Sequence, residues 1–236
     1  MAKHLKRDME HLERGLLALG AMVEDSIKKA IIALIDRRPE LAELVIRGDD
    51  AIDAKEVDVE EECLKVLALH QPVATDLRTL VAILKVNNDL ERMGDCATNI
   101  AERARDLADQ PPIPTPLEEL RRMTELVRAM VSQSLDALVR HDAALAREVC
   151  LRDAEVDALN RRMFVLTQDL MQQDPTTVPR AVSTLSVSRN LERIADLATN
   201  IAEDVVFLVD GEVIRHRAVT ANRARESDRA RRVPTT

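Results

Sequence analysis

The sequence predicts an all-α protein made of two tandem three-helix bundles that are related by an internal repeat. A block of seventeen residues occurs twice, about a hundred positions apart. The chain has no Trp or Tyr, two Phe and five Gly among 236 residues, so its core must be built from aliphatic side chains and Met, which favours long helices over β-sheet. Four prolines within residues 110–116 predict a boundary between two units.

Each half is predicted to contain three helices with prolines at or near the breaks between them. Apolar residues recur at the i, i+3/i+4, i+7 spacing of one helix face, and a proline ends or begins a helix. The expected helices span residues 3–36, 39–69, 73–109, 117–140, 143–173 and 176–209. We therefore expect bundle domains at 1–109 and 117–210, an extended Pro-rich linker at 110–116 and an Arg-rich, disordered tail at 211–236.

The repeated block is predicted to be a helix with two different faces. Its copies, residues 86–102 and 187–203, are identical at eleven of seventeen positions, including polar ones. One face is an apolar stripe, and the opposite face carries carboxylates and carboxamides. The polar stripe contains Asn88, Glu91, Asp95, Asn99 and Glu102 in the first copy, and Glu192, Asp196, Asn200 and Glu203 in the second. A repeat that only had to pack would let its polar positions drift, so this face predicts a function.

An acidic pair upstream of the first copy is expected to face it across a helical hairpin. In antiparallel helices, residues at the same height have a constant sum of residue numbers. Asp53 with Glu91 and Asp49 with Asp95 both sum to 144, which puts the turn at Pro72. The first half is therefore predicted to bring four carboxylates together at one height of the hairpin.

The second half repeats this arrangement. Asp157 with Glu192 and Asp153 with Asp196 both sum to 349, so the turn falls within the Asp-Pro dipeptide at 174–175. A proline at a turn is compatible with helices on either side of it. Each half is therefore predicted to carry its own set of four carboxylates.

Four carboxylates at one height repel one another unless a cation lies between them. Carboxylate and carboxamide oxygens suit Mg²⁺, Mn²⁺ or oxidised iron. We therefore expect one metal site or cluster in each bundle. The predicted ligands are Asp49, Asp53, Glu91, Asp95, Asn99 and Glu102 in the first half and Asp153, Asp157, Glu192, Asp196, Asn200 and Glu203 in the second. The alternative is that both stripes are solvated helix faces without metal.

Composition and motifs narrow the function. The net charge is −8 although seven arginines follow residue 210, and such an acidic body argues against nucleic-acid binding. The chain lacks a Gly-rich phosphate loop, and none of its five histidines lies in H-E-x-x-H or E-x-x-H, so we expect no enzyme and no catalytic residue.

The sequence also predicts where the protein is located. No apolar run reaches membrane-spanning length, and no signal peptide is visible. Three widely spaced cysteines fit free thiols, so we expect a cytoplasmic protein.

Both copies of the block resemble the twin signatures of the PhoU family. The matching motifs are Asp89-Leu90-Glu91-Arg92-Met93-Gly94-Asp95 with Thr98-Asn99-Ile100-Ala101-Glu102, and Leu191-Glu192-Arg193-Ile194-Ala195-Asp196 with Ala198-Thr199-Asn200-Ile201-Ala202-Glu203. Residues 71–78 and 211–216 resemble the family as well, so the likeness covers nearly the whole chain. The chain departs from the family pattern at Cys96 and Leu197, where the family often has His, and at Ala195, where Gly is usual.

The resemblance implies a cytoplasmic regulator that represses the phosphate-starvation response when phosphate is ample. It implies an adaptor between the ATPase subunit of the phosphate ABC transporter and the phosphate-responsive sensor histidine kinase, peripheral to the membrane only through these partners. It also implies iron or zinc on E/D-x-x-x-D motifs, which match the Asp49/Asp53, Glu91/Asp95, Asp153/Asp157 and Glu192/Asp196 pairs here. We further expect a homo-oligomer, a dimer.

Two other functions stay open on the sequence alone. Paired carboxylates could hold the metal of a phosphatase, and a helical scaffold could carry the same acidic faces without any metal. Turnover of phosphate esters distinguishes the first alternative from an adaptor, and metal analysis distinguishes the second.

Overall fold

The computed structural model describes residues 2–112 and 117–211, which fold into six α-helices. These helices are α1 Ala2–Ile35, α2 Pro39–His70, α3 Ala74–Ala108, α4 Leu117–Arg140, α5 Ala143–Gln173 and α6 Val178–Asp210. The all-α prediction is confirmed, and every predicted helix bound except the start of α6 is within one residue of the observed one. Over the described ranges, no helix is long and apolar enough to cross a membrane.

Most of the predicted linker and tail lie outside the described residues, which end at 112 before the linker's last prolines and at 211 before the arginines. The extended linker, the disordered tail and the domain bounds at 109, 117 and 210 therefore stay predictions.

The start of α6 is where the sequence prediction was wrong, because a short 3₁₀ turn, Pro175–Thr177, comes first. Oδ1 of Asp174 accepts hydrogen bonds from the backbone N–H of Thr176 at 3.0 Å and from its hydroxyl at 2.7 Å. This side-chain cap holds the chain in a tight turn before regular helical hydrogen bonds can begin.

Arg37 joins the turn between α1 and α2 to the far end of α3. Its backbone has a positive φ of 55°, and its Nη2 donates to the carbonyl oxygens of Leu107 at 2.9 Å and Ala108 at 2.7 Å. The last carbonyls of a helix have no partner within the helix and attract positive charge. The guanidinium therefore caps α3 and fixes the three helices of the first half at this end.

The two halves pack through α3 and α6, which run antiparallel along the middle of the molecule. Each central helix also contacts the two other helices of its own half, and α1 contacts α4. At one end, the Arg78 guanidinium lies 5.5 Å from the ring centroid of Phe207. At the other end, Nη1 of Arg180 donates to the Pro111 carbonyl oxygen at 2.8 Å. The two copies of the repeat thus lie side by side around an approximate two-fold axis.

Buried apolar residues of both halves form one continuous core. The predicted apolar stripes of the repeat lie within it, since Val86, Leu90, Met93, Ala97, Ile100, Val187, Leu191, Ile194, Ala198, Ile201 and Val205 are all fully buried. The two bundles therefore share one core through their central helices, and this contact between halves is a feature that the sequence did not predict.

Candidate metal centres

The first acidic cluster consists of Asp49 and Asp53 on α2 and Glu91 and Asp95 on α3. Burial raises the pKa of Asp49, and the charges of Asp53 and Asp95 raise it further. Burial also raises the pKa of Glu91, with the charges of Asp95 and Asp53 adding to the rise. The charge of Asp95 thus reaches Asp49 across the hairpin, and that of Asp53 reaches Glu91, as the constant sum of residue numbers predicted.

Asp49 is half-buried and carries an unsatisfied oxygen. Its Oδ1 lies 3.9 Å from the position that a Cβ atom would occupy on Gly94, and it has no hydrogen-bond partner. The nearby Thr98 hydroxyl lowers the Asp49 pKa against the effect of burial, but Oγ1 of Thr98 is itself buried without an acceptable hydrogen bond. A buried polar atom without a partner costs about 1–3 kcal/mol, and a cation bound here would offset that cost.

Glu56 is a fifth carboxylate at this cluster that the sequence analysis missed. Burial raises its pKa first, and the charges of Glu60 and Asp53 raise it further. Nδ2 of Asn87 donates to its Oε1 and to its backbone carbonyl oxygen, both at 3.0 Å. Glu56 lies one turn after Asp53 on the same helix face, and this spacing was the sequence signal that could have identified it.

The second acidic cluster consists of Asp153 and Asp157 on α5 and Glu192 and Asp196 on α6. Burial, followed by the charges of Asp196 and Asp157, raises the pKa of Asp153 to about 6. Burial, followed by the charges of Glu192 and Asp157, raises the pKa of Asp196 to about 6 as well. Burial and the charges of Asp157 and Asp153 raise the pKa of Glu192, while Arg189 opposes the rise.

The surroundings of the two clusters are similar but not identical. Thr199 takes the place of Thr98, and its Oγ1 is likewise buried without a hydrogen bond while its hydroxyl lowers the Asp153 pKa. The Ser188 hydroxyl lies 2.7 Å from Oδ1 of Asn160, where the first half has the Asn87–Glu56 contact. The second cluster therefore has an amide where the first has a carboxylate. Thr98 and Thr199 occupy equivalent positions of the repeat, and this identity was the sequence signal that could have identified them as part of the clusters.

The outer residues of the polar stripes differ in how close they lie to the acidic clusters. The Glu203 charge raises the pKa of Asp153, so Glu203 lies near the second cluster. Asn200 lines the same groove as Asp153 and Asp196. Glu102 instead lies 4.0 Å from Nη2 of Arg103, and none of the pKa shifts in the first cluster is caused by it. Asn99 is exposed.

The acidic stripes are less exposed than their position opposite the apolar stripe suggested. Asp49, Glu91, Asp153, Asp157 and Glu192 are all half-buried, whereas Asp53 and Asp95 are exposed. Asp196 is exposed as a whole residue, yet its carboxyl group is buried enough for its pKa to rise. The reason is that α2 and α5 pack beside the central helices and cover one edge of each stripe. A helical wheel considers one helix alone and cannot show this cover.

The three cysteines do not supply a reactive thiolate. They are unpaired, and burial raises the pKa of Cys63 and Cys96 to about 11 and that of Cys150 to about 12. Such thiols are protonated at neutral pH and are poor nucleophiles and poor ligands.

The donors in each cluster are carboxylate, hydroxyl and amide oxygens, which suit a hard or borderline cation. Within residues 2–112 and 117–211, no three His, Cys, Asp or Glu side chains are gathered tightly enough to hold a metal ion as they stand. Carboxylates without a cation between them repel, and rotation of the Asp53, Asp95 and Asp196 side chains would be needed to close a coordination shell. The unsatisfied Asp49 oxygen and the two orphaned threonine hydroxyls make the chemistry of both clusters compatible with a metal.

Comparison with known proteins identifies the repeated unit. The family model for the PhoU domain matches the chain twice, over residues 16–104 and 120–205. Each match contains one acidic cluster and the three helices that position it, apart from the outer turns.

Relatives match along nearly the whole chain. The chain is 40% identical over 215 residues to the phosphate-specific transport system accessory protein PhoU homolog of Aquifex aeolicus, covering 91% of this chain and 97% of that protein. It is 38% identical over 220 residues to the homolog of Pseudomonas aeruginosa, covering 93% and 91% of the two chains.

Two crystal structures have the same fold. PhoU from Pseudomonas aeruginosa superposes with a TM-score of 0.86 at 39% sequence identity, covering 88% of this chain and 99% of that one. The phosphate transport system regulatory protein PhoU from Streptococcus pneumoniae superposes with a TM-score of 0.79 at 31% identity, covering 89% and 98%. With two matched domains and relatives this similar over nearly their full length, the chain belongs to the PhoU family.

Proposed function

We propose that the chain regulates phosphate uptake and the response to phosphate starvation as a metal-binding adaptor. In this proposal it joins the ATPase subunit of the phosphate ABC transporter to the phosphate-responsive sensor histidine kinase. The observation that carries the proposal is the acidic cluster that occurs in each of the two PhoU domains. A surface that binds ions or partners needs identical polar residues at equivalent positions, whereas packing alone does not need them.

The similar proteins support the regulatory part of this proposal. Relatives spanning nearly the same length are accessory proteins of the phosphate-specific transport system by name. The Streptococcus pneumoniae structure is that of a phosphate transport system regulatory protein. The two protein partners, the cytoplasmic location and a dimeric state are proposals that follow from family membership.

The metal would be held by the two acidic clusters, with Thr98 and Thr199 as additional oxygen donors beside Asp49 and Asp153. Iron or zinc is the proposed occupant, with Mg²⁺ or Mn²⁺ as the hard alternatives. A bound cation would supply positive charge that offsets the repulsion between the carboxylates. The chain's own residues would set the position of that charge, because their helices pack into the common core.

An adaptor fits the side chains better than an enzyme. Neither acidic cluster contains a histidine among the described residues, and burial keeps the nearby Cys150 thiol protonated. The groups available are carboxylates, amides and hydroxyls, and they include no Ser–His or Cys–His pair of nucleophile and base among the described residues. A bound metal can itself activate water as a nucleophile, so turnover of phosphate esters is the measurement that separates a phosphatase from an adaptor.

Gene deletion with complementation tests the proposal. In phosphate-rich medium, deletion should raise the expression of phosphate-scavenging genes, and the wild-type chain should restore repression. Purified chain should also capture the transporter ATPase and the kinase. Unchanged expression after deletion, capture of neither partner, or metal-dependent turnover of phosphate esters by the purified chain would each contradict the proposal.

A further inference from the structure

The repeat retains an arginine that the acidic clusters do not use. Arg92 follows Glu91 in the first copy, and Arg193 follows Glu192 in the second. An arginine stays protonated and has no lone pair to give to a metal, so a metal site does not explain why both copies keep it. Both side chains are also at least partly exposed, so the packing of the core does not explain it either.

The fold brings these two arginines into one groove between the halves. Because α3 and α6 run antiparallel, equivalent residues of the repeat approach one another across the approximate two-fold axis. Arg92 and Arg193 both line a groove of about 1870 Å³ that is bounded by α3, α5 and α6. Both positive charges also act on the buried Cys96 thiol, lowering its pKa against the larger rise caused by burial. The two guanidinium groups thus reach the same part of the groove from different helices.

The groove is lined by six carboxylates as well as by arginines, and two of these carboxylates pair with its cations. The six carboxylates are those of Asp89, Asp153, Glu192, Asp196, Glu203 and Asp204. Nη1 of Arg92 lies 3.5 Å from Oδ1 of Asp89, a long contact for an ion pair. Arg193 is exposed and makes no ion pair within 4.0 Å with any described residue. The positive charge of Lys85 is taken up by Asp204 at 2.5 Å, so that pair adds little net charge.

Further donors line the groove beside the arginines. Arg189 lies one turn before Arg193, is exposed, and has its nearest opposing charge in Glu192, whose pKa it lowers. Asn88 lies one turn before Arg92 and is exposed as well. Arg189 thus adds a third guanidinium group, and Asn88 an amide, to the part of the groove beside Arg92 and Arg193.

We propose that the groove binds a phosphate-type oxyanion between Arg92 and Arg193, with Arg189 and Asn88 as additional donors. A guanidinium group donates two parallel hydrogen bonds to two oxygens of a phosphate group. A carboxylate can be satisfied by one such fork, whereas a tetrahedral dianion has oxygens for two forks that approach from different helices. None of these four donors is a proposed metal ligand. Asp153, Glu192 and Asp196 of the second cluster line the same groove, so metal-free protein keeps their charge fixed during a test of the site.

Isothermal titration calorimetry of inorganic phosphate into the chelator-treated, full-length chain tests this site at low ionic strength. We expect saturable binding to one site. The R92Q/R193Q variant should bind at least about tenfold more weakly. The matched control is R121Q/R128Q, which removes two exposed arginines from α4 and should bind like the wild type. R92K/R193K keeps the charge without the fork and should bind with intermediate affinity.

Parallel titrations identify the source of the phosphate group. Pyrophosphate, a nucleoside triphosphate and vesicles containing an anionic phospholipid are each added to the same four proteins. Binding of any of these probes that is lost in R92Q/R193Q and kept in R121Q/R128Q supports the site and names its ligand. The proposal is wrong if no probe binds at up to about 10 mM, or if R92Q/R193Q binds as tightly as the wild type.

Discussion

The ammonium nitrogen of Lys85 on α3 lies 2.5 Å from Oδ1 of Asp204 on α6. The Asp204 side chain is only 3% exposed, so this ion pair is enclosed by the interface between the halves. The repeat does not reproduce it, because the equivalent positions hold Ser186 and Arg103. The contact is therefore specific to one side of the approximate two-fold axis and fixes a single register of α3 against α6.

Replacing Lys85 with Met should destabilise the chain by about 2 kcal/mol. The substitution removes the ammonium group that pairs with a buried carboxylate, which costs several kcal/mol when the pair is fully enclosed and less here because Lys85 is 36% exposed. Urea unfolding measures the effect. The control is K65M, which removes a surface pair with Glu62 whose lysine is 60% exposed and should change stability by about 0.5 kcal/mol or less. Equal losses for both variants would show that the Lys85 pair has no special role.

Metal-free protein should lose stability as the pH rises from about 4 to about 6. The pKa values of Asp153 and Asp196 are raised to about 6 from an ordinary value of 3.8. In this window the folded state binds more protons than the unfolded state, so the free energy of unfolding falls as pH rises. With a discount for solvent screening, we expect a loss of about 1 kcal/mol per group.

Urea unfolding at pH 4.5 and pH 7.5 measures this pH dependence. The D153N/D196N variant should show a smaller change between the two pH values, because its amides do not titrate. The matched variant D136N/D169N changes two exposed carboxylates outside the clusters and should behave like the wild type. A pH dependence that is the same in all three proteins would contradict the assigned pKa shifts.

Two glycine substitutions should have opposite effects. Gly48→Ala should stabilise the chain by about 0.5–1 kcal/mol, because a new Cβ meets nothing within 4 Å and alanine favours the helix. At Gly94, a Cβ would lie 3.1 Å from Cγ2 of Ile52, so displacement of this buried side chain offsets the same gain. Thermal unfolding should place the two variants about 1 kcal/mol apart. A Gly94→Ala variant as stable as Gly48→Ala would show that α2 and α3 pack more loosely at the first cluster.

Changing Glu91 and Asp95 to Ala should leave the metal-free chain as helical as the wild type and slightly more stable. The charges of Asp95 and Asp53 raise the pKa of Glu91, so the carboxylates oppose one another in the absence of a cation. Circular dichroism and thermal unfolding in the presence of a chelator measure both properties. The Asp25 and Glu24 pair on α1 lies outside the clusters and provides the control substitutions. Loss of helicity in E91A/D95A would mean that the cluster is part of the folding core.

The sequence was informative wherever a feature repeats or follows one helix. The apolar stripes, five helices and the facing pairs Asp49–Asp95 and Asp153–Asp196 follow from periodicity and from the geometry of an antiparallel hairpin. What one helix cannot show is how separate hairpins pack. The α3–α6 interface, the Lys85–Asp204 pair and the groove around Arg92 and Arg193 depend on contacts between residues about a hundred positions apart.

The sequence predicted the four facing carboxylates of each cluster but missed one further carboxylate and two hydroxyl groups. Glu56, Thr98 and Thr199 were left out because the prediction followed like charges at four-residue spacing. Glu102 was included on the same pattern, yet it lies beside Arg103 rather than in the first cluster. A helical wheel places a residue on a face but does not show where a long side chain points.

Metal content tests the central claim most directly. Protein purified without chelator is analysed by inductively coupled plasma mass spectrometry as wild type, as E91A/D95A and as E192A/D196A. We predict bound iron or zinc in the wild type, loss of the first-half metal alone in E91A/D95A, and loss of the second-half metal alone in E192A/D196A. Wild-type protein without stoichiometric metal, or full metal content in both variants, would contradict the assignment of metal to the two acidic clusters.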